Sequence, residues 1–81
     1  MAIYIQINRT DDSDTLSVYE FGPVERIVGS VAVTKPAGDV ELLHIDDEHD
    51  GKKNFFLSRI RQVFQRHAKN GTFPDRTWYA A

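Results

Sequence analysis

The feature that most constrains the fold of this chain is a change of hydrophobic period close to Gly51. Before that point apolar and polar residues alternate, as at Ile3, Ile5 and Ile7, which is typical of strands with one buried face. After it apolar residues recur at three- and four-residue spacings, which is typical of an amphipathic helix. Strands followed by one helix predict an α+β fold, and 81 residues predict a single domain, 1–81.

Four segments of the first part have strand character: residues 2–8, 15–21, 27–34 and 40–45. The polar segment 10–14, the pair Gly22-Pro23 and the segment 35–39 separate them as turns. Because short connections favour pairing between successive strands, the sequence predicts a four-stranded antiparallel meander.

The second part predicts one helix over about residues 54–69, ended by Asn70-Gly71. Its apolar stripe consists of Phe56, Ile60, Val63, Phe64 and His67. This C-terminal amphipathic helix should pack on one face of the sheet, with His67 as a core histidine. We also expect Phe73 and Trp78 of the tail to pack against the helix or the sheet.

Charge is divided between the same two parts of the chain. Residues 1–50 contain eleven acidic and three basic side chains, whereas residues 51–81 contain one acidic and seven basic side chains. The net charge of −2 therefore conceals two segments of opposite sign. Such asymmetry indicates either charged binding partners or two parts that attract one another.

No residue pattern in the chain predicts catalysis. There is no cysteine, and no serine stands in the context of a nucleophile elbow. No glycine-rich phosphate loop occurs, because the five glycines are scattered. We therefore expect a protein that is not an enzyme, that has no catalytic residues and that uses no cofactor.

The segment from Asp46 to Gly51 has part of the spacing of a calcium loop. Asp46, Glu48 and Asp50 occupy relative positions 1, 3 and 5, but position 12 is Leu57 where the loop requires a bidentate carboxylate. We therefore expect no metal site and interpret the segment as a solvated acidic connector.

Carboxylates concentrated in two polar segments are the best candidates for binding another protein. A compact domain with such clusters can dock on a basic protein, because complementary charge speeds encounter and disfavours wrong partners. The candidate partner-binding residues are Asp11, Asp12, Asp14, Asp46, Asp47, Glu48, Asp50 and Phe55. The predicted partner is a basic toxin or enzyme that the domain neutralises as an inhibitor, and the alternative role of the acidic residues is solubility alone.

Phe55 lies on the flank of the predicted helix that points away from its apolar stripe. One interpretation is a first-turn residue that packs on the acidic loop. The other is an exposed anchor of an interface, since aromatic residues are enriched at binding surfaces. Both interpretations stay open from the sequence.

The basic side of the predicted helix offers an alternative function. Lys52, Arg59 and Arg66 repeat every seven residues and share one side of the helix, as cations that contact phosphates must. A nucleic-acid-binding regulator is therefore the second hypothesis, although the acidic part of the chain would repel the same polyanion.

The C-terminal part has a recognisable arrangement. It contains Phe55-Phe56-Leu57-Ser58-Arg59-Ile60, then Lys69-Asn70-Gly71-Thr72-Phe73-Pro74-Asp75 and Trp78-Tyr79-Ala80. This arrangement resembles small bacterial proteins of uncharacterised or immunity type, in which a strand-rich start precedes a helix and a tail of the form Gly-x-(Phe/Tyr)-Pro-(Asp/Glu) with a nearby Trp. The resemblance implies a cytoplasmic bacterial protein that acts by binding another protein, and it carries over no catalytic residue.

The sequence also allows predictions about membrane association, cellular location and oligomeric state. No stretch approaches the ~20 apolar residues that a membrane-spanning helix needs, so we expect no membrane partner. The first residues lack the basic region and long apolar run of a secretory signal, which predicts a cytoplasmic protein. Because so short a chain has a small core, a homodimer is a further candidate arrangement.

Overall fold

The fold is described by a computed structural model, which covers residues 4–24 and 26–80. Its elements are β1 (Tyr4–Asp12), β2 (Leu16–Gly22), β3 (Gly29–Thr34), β4 (Asp39–Ile45), a 3₁₀ turn (Asp50–Lys52), α1 (Lys53–Asn70) and β5 (Arg76–Ala80). The predicted strand 2–8 begins outside the described residues. The predicted α+β class is confirmed.

The five strands form one antiparallel sheet in the order β4-β3-β2-β1-β5. The predicted meander is present, since β1 to β4 pair in sequence order. The prediction of four strands is one too few, because Arg76–Ala80 pairs with β1 as a fifth strand. Five residues directly after a Pro-containing segment are too short to show a clear period of two, which is why the sequence did not indicate this strand.

The first hairpin is longer than predicted. β1 continues to Asp12 through a bulge between Arg9 and Asp11, so part of the predicted turn 10–14 is strand. A bulge inserts an extra residue and interrupts the alternation of faces. The polar run therefore had the pattern of a turn although its backbone pairs with β2.

The helix α1 lies on one face of the sheet and buries the predicted apolar stripe. The core contains Ile5, Ile7, Tyr19, Phe21, Val31 and Val33 from the sheet and Phe56, Leu57, Ile60, Val63 and Phe64 from the helix. The rings of Tyr19 and Phe64 pack with their centroids 4.7 Å apart. Because full burial of one such side chain stabilises the fold by roughly 1.5–3 kcal/mol, this contact holds the two layers together.

The ends of α1 agree closely with the predicted range 54–69. The helix extends one residue further at each end and stops at Gly71, whose φ of 70° is left-handed. The backbone N–H groups of Gly71 and Thr72 donate to the carbonyls of Ala68 and His67. These bonds satisfy carbonyls of the last turn, and a residue without a Cβ adopts the required φ without strain.

Three hydrogen bonds fasten the segment between α1 and β5 to the sheet. The Arg9 backbone N–H donates to the Asp75 carbonyl at 2.8 Å, and Arg9 Nη1 donates to the Phe73 carbonyl at 3.1 Å. The hydroxyl of the fully buried Tyr19 donates to the Pro74 carbonyl at 2.7 Å. Burial raises the pKa of Tyr19, so the hydroxyl keeps the proton that it donates. Phe73 packs against the core, as expected.

His67 joins α1 to β5. Its Nε2 lies 2.8 Å from Oγ1 of Thr77, which is buried, and its ring packs against the edge of Phe64. The predicted hydrogen-bond partner is present, but His67 is half-buried at the rim of the core rather than within it. Burial lowers the pKa of His67, and the charge of Arg66 lowers it further.

The substitution Tyr19→Phe tests the bond between the sheet and the tail. It removes only the hydroxyl and leaves the Pro74 carbonyl without its donor, so we expect unfolding to become easier by about 1–2 kcal/mol. Urea unfolding followed by circular dichroism measures this change. The control Tyr4→Phe removes an exposed hydroxyl and should change stability by less than about 0.5 kcal/mol. Equal stability of wild type and Tyr19→Phe would contradict the assignment.

The lowered pKa of His67 predicts a pH dependence of stability. The unfolded chain takes up this proton near pH 6.5 and the folded chain only at lower pH. Protonation therefore favours the unfolded state, and the free energy of unfolding should fall as pH decreases below this value. Urea unfolding at several pH values should show this slope in wild type and in the exposed-site control His44→Gln. Above the range in which Asp12 and Asp46 take up protons, whose ordinary pKa is 3.8, His67→Gln should lose most of this slope. An unchanged slope of His67→Gln in that pH range would show that another group is responsible.

Candidate functional site

The predicted acidic residues do not form a single surface. Asp11, Asp12 and Asp14 belong to the β1–β2 hairpin, whereas residues 46–50 connect β4 to the helical part of the chain. In an antiparallel meander these two connections lie at opposite ends of the strands. A partner that uses both groups must therefore span the length of the sheet.

In the hairpin group, Asp12 is engaged within the fold. Its Oδ1 accepts hydrogen bonds from Lys35 Nζ and from the buried Ser17 Oγ, both at 2.6 Å. The bonds from Lys35 and Ser17 hold the pKa of Asp12 below its usual value. Asp12 thus ties the hairpin to the turn after β3. Asp11 and Asp14 are exposed and, in the part of the chain that the structure describes, form no ion pair.

In the loop group, two of the acidic residues are engaged within the fold: Asp46 closes the loop itself, and Glu48 bonds to the connection between β2 and β3. Asp46 Oδ1 accepts from the backbone N–H of His49 at 3.0 Å and lies 2.6 Å from the His49 Nδ1. Burial acts to raise the pKa of Asp46, but the hydrogen bonds from His49 and the charge of Arg26 outweigh it and lower the pKa. Glu48 pairs with Arg26 at 2.6 Å. Because Asp46 and Glu48 are paired within the fold, fewer carboxylates of the loop group are left to bind a partner.

The rest of the loop group is solvated. Asp47 and Asp50 are exposed and have no ion-pair partner among the described residues. Leu57, which stands where a calcium loop needs its last carboxylate, lies in the core. Within residues 4–24 and 26–80, no group of three or more histidine or acidic side chains is placed to hold a metal ion.

Phe55 is half-buried at the beginning of α1 and lies next to the loop group. The Arg59 guanidinium lies 3.8 Å from the centre of the Phe55 ring, and the rings of Phe55 and Phe56 pack edge to face. Phe55 also forms part of a mostly apolar cleft of about 370 Å³, which Tyr4 and His49 border. Both interpretations of Phe55 therefore describe part of its surroundings, and its role as an interface anchor stays a prediction.

The face of the sheet opposite α1, here called the open face, places carboxylates around a small apolar centre. The strand register aligns one row across it: Glu41, Ala32, Val18 and Asp11. Leu16 lies next to Val18 on β2 and is 41% exposed. Asp11, Glu20, Asp39 and Glu41, which we call the carboxylate ring, lie around Leu16 and Val18. Among the described residues none of the four forms an ion pair.

Three members of the carboxylate ring, Glu20, Asp39 and Glu41, lie outside the acidic runs of the sequence and were therefore not predicted. Glu20 stands between Tyr19 and Phe21, and Glu41 stands between Val40 and Leu42. This alternation already places each carboxylate on the face opposite its buried neighbours. The sequence does not reveal the strand register. It is this register that brings Glu20 and Glu41 to the same surface as Asp11.

The predicted phosphate-binding cations lie along one flank of α1, on the side of β5. Arg66 lines a groove with Trp78 and Tyr79, and Lys52 lies at the beginning of the helix. Arg59 is engaged locally, because its Nη1 donates to the Phe55 carbonyl at 3.2 Å and its guanidinium covers the Phe55 ring.

The opposite charges of the chain are distributed over its two layers. α1 contains five basic residues and no acidic residue, while the open face on the other side of the sheet carries the carboxylate ring. The charge split along the sequence thus becomes largely a split between helix and sheet, with Arg76 on the open face of β5 as an exception. Among the helices that the structure describes, none has the length and apolar character needed to cross a membrane.

Trp78 does not pack as predicted. It is 54% exposed and lies on the open face of β5 opposite Gln6, whereas its neighbours Thr77 and Tyr79 take the inward positions. The alternation of a strand forces this result, since consecutive side chains point to opposite faces. Trp78 is therefore a surface aromatic, and the expected contact with the helix belongs to Tyr79, which packs against the core.

Comparison with protein-family models, with curated proteins and with solved structures gives no match to this chain.

Proposed function

We propose that this protein is a non-enzymatic domain that binds a basic partner protein through the open face of its sheet. The observation that supports this most strongly is the carboxylate ring around Leu16 and Val18. An apolar centre with a polar rim is the common anatomy of protein interfaces. Four carboxylates without internal ion pairs favour a positively charged partner over a neutral or acidic one.

The acidic residues indicated by the sequence contribute unequally to this proposed surface. Asp11 belongs to the carboxylate ring, and Asp14 lies in the adjoining turn. Asp12 supports the hairpin through Lys35 rather than facing a partner. The loop residues 46–50 and Phe55 lie at the other end, so they would contact only a partner that extends beyond the open face.

The partner class that best fits this surface is a basic enzyme or toxin. Carboxylates on a firm sheet can occupy positions that phosphate groups take in a complex with a basic enzyme, as in an inhibitor of a nuclease. The resemblance of the C-terminal part to small bacterial proteins of immunity type agrees with this role. We therefore propose an inhibitor or immunity-type protein that acts in the bacterial cytoplasm.

A nucleic-acid-binding regulator is the second candidate. It is favoured by the alignment of Lys52, Arg59 and Arg66 along one flank of α1 and by the absence of acidic residues from that helix. Against it, Arg59 is engaged by the Phe55 ring and carbonyl. The carboxylate ring on the other layer would also repel a long polyanion that wraps around the domain.

Site-specific photo-crosslinking in cells tests the proposed surface. A photoreactive residue replaces Thr34, which is exposed on the open face beside Leu16, or Gln65 on the outward side of α1, or Gln62 on the β5 flank. We expect a crosslinked protein with a basic surface from position 34 and none from position 65. A nucleic-acid adduct at position 62 alone would favour the second candidate, and an absence of any adduct at position 34 would overturn the proposed surface.

Binding of the purified crosslinked protein should depend on the carboxylate ring. We expect the double variant Glu20→Gln, Glu41→Gln to weaken binding at least about tenfold and to flatten its salt dependence, because it removes charge without changing shape. The matched control Asp47→Asn, Asp50→Asn removes two carboxylates from the loop group and should bind within about twofold of wild type. Equal losses in both double variants would show that net charge, and not this surface, determines binding.

A further inference from the structure

The two edges of the sheet differ in how well they are protected. The β4 edge carries Asp39 and Glu41 and is interrupted by a bulge near Leu43. β5 has a continuous register with β1 and contains no proline, no bulge and no charge after Arg76. Charges and bulges are the devices that keep edge strands from pairing with other chains. Within the described residues, β5 lacks both along most of its length.

The outer backbone groups of β5 are available for pairing. β5 is the last strand of the sheet, so one of its sides pairs with β1 and the other has no neighbouring strand. In the described part of the chain, no backbone hydrogen bond from a loop or a turn reaches residues 76–80. An edge of this kind can accept one more strand, whose main chain supplies most of the binding energy.

A groove runs between this edge and α1. It has a volume of about 250 Å³ and is lined by Gln62, Val63 and Arg66 from the helix and by Trp78, Tyr79 and Ala80 from β5. Alternate side chains of an added strand would enter the groove on the helix side and lie beside Trp78 on the open face.

The charge around the groove selects the kind of strand that can bind there. Arg66 lines the groove, and Arg59 lies two turns earlier on the same flank of the helix. Neither α1 nor β5 contains an acidic residue. A strand whose side chains on the helix side are carboxylates would be attracted, because ion pairs with Arg are favourable and can be bidentate.

We propose that the β5 edge binds an acidic, extended segment of another protein by strand addition. The segment becomes a sixth strand, with its backbone bonded to β5 and its carboxylates beside Arg66. This site lies on the edge of the sheet, away from the carboxylate ring, and selects a partner of the opposite charge. It is therefore independent of the proposed function, and each of the two proposals can fail alone.

A second copy of this chain fits the edge less well. Pairing of β5 with β5 of another copy around a two-fold axis would continue the sheet and place both helices on the same side of it. The flanks with Arg59 and Arg66 would then face each other, which is unfavourable between like charges. The geometry points to an acidic partner segment for this reason.

Titration with a designed peptide tests the proposal. The probe is the acetylated and amidated peptide Thr-Glu-Val-Glu-Val-Glu-Thr, and nuclear magnetic resonance follows the backbone amides of the full chain. We expect shifts and slower hydrogen exchange at the amides of residues 76–80. Arg66→Gln should weaken binding about tenfold, whereas the control Arg61→Gln on the other side of α1 should leave it within about twofold.

Three further probes decide between strand addition and simple charge attraction. The same peptide with alternate backbone nitrogens methylated keeps its charge but loses donors, and it should not bind. The lysine counterpart of the peptide should not bind either. Equal binding of the methylated peptide would overturn the proposal, as would no binding of the acidic peptide. A third outcome is that the peptide does not bind, while an oligonucleotide shifts the amide signals of Arg59 and Arg66 without slowing hydrogen exchange in β5. This outcome would assign the flank to nucleic acid instead.

Discussion

The structure depends on a single amphipathic helix packing against a sheet of five strands. A helix is about 10–12 Å wide, whereas five strands at about 4.8 Å spacing span roughly 19 Å. One helix therefore covers only part of one face and none of the other. The stripe of α1, with Phe64 packed on Tyr19, forms the helix side of the core and closes it against the sheet. The open face is the surface that this helix does not cover, and the β5 groove lies where the flank of the helix meets the edge of the sheet.

The sequence predicted the part of this arrangement that rests on long periodic segments. The helix boundaries, the order of the first four strands and the burial of the stripe were recoverable, because each follows from a repeated spacing over many residues. β5 was not, since its five residues carry only Thr77 and Tyr79 as inward positions. The exposure of Trp78 was not predicted for the same reason, because the outward face of the tail is defined only once the tail is known to be a strand.

The candidate surfaces were harder to predict than the fold, for a physical reason. Runs of acidic residues attract attention in a sequence, but such runs occur in connections, and in this fold Asp12, Asp46 and Glu48 serve those connections through Lys35, His49 and Arg26. The carboxylate ring comes instead from single residues on different strands. Only the register of the sheet brings them together, and register depends on pairing between distant segments.

The separation of charge between the two layers connects fold and function. The sign change near Gly51 coincides with the change from strands to helix, so α1 carries only basic charges while most acidic residues lie on the sheet and its connections. Since the apolar sides of both layers meet in the core, the charged sides face solvent in opposite directions. Under the two proposals, a basic partner would bind the sheet and an acidic segment would bind the helical flank, so the two would not compete for the same surface.

The most direct test of this one-sided architecture uses the only tryptophan of the chain, Trp78. Its fluorescence should have the emission maximum of a solvent-exposed indole, and acrylamide should quench it readily in the native protein, because the residue lies on a face that α1 does not cover. A blue-shifted emission that resists quenching in the native state and becomes accessible only on unfolding would contradict the account. It would mean that Trp78 is packed and that the open face is covered.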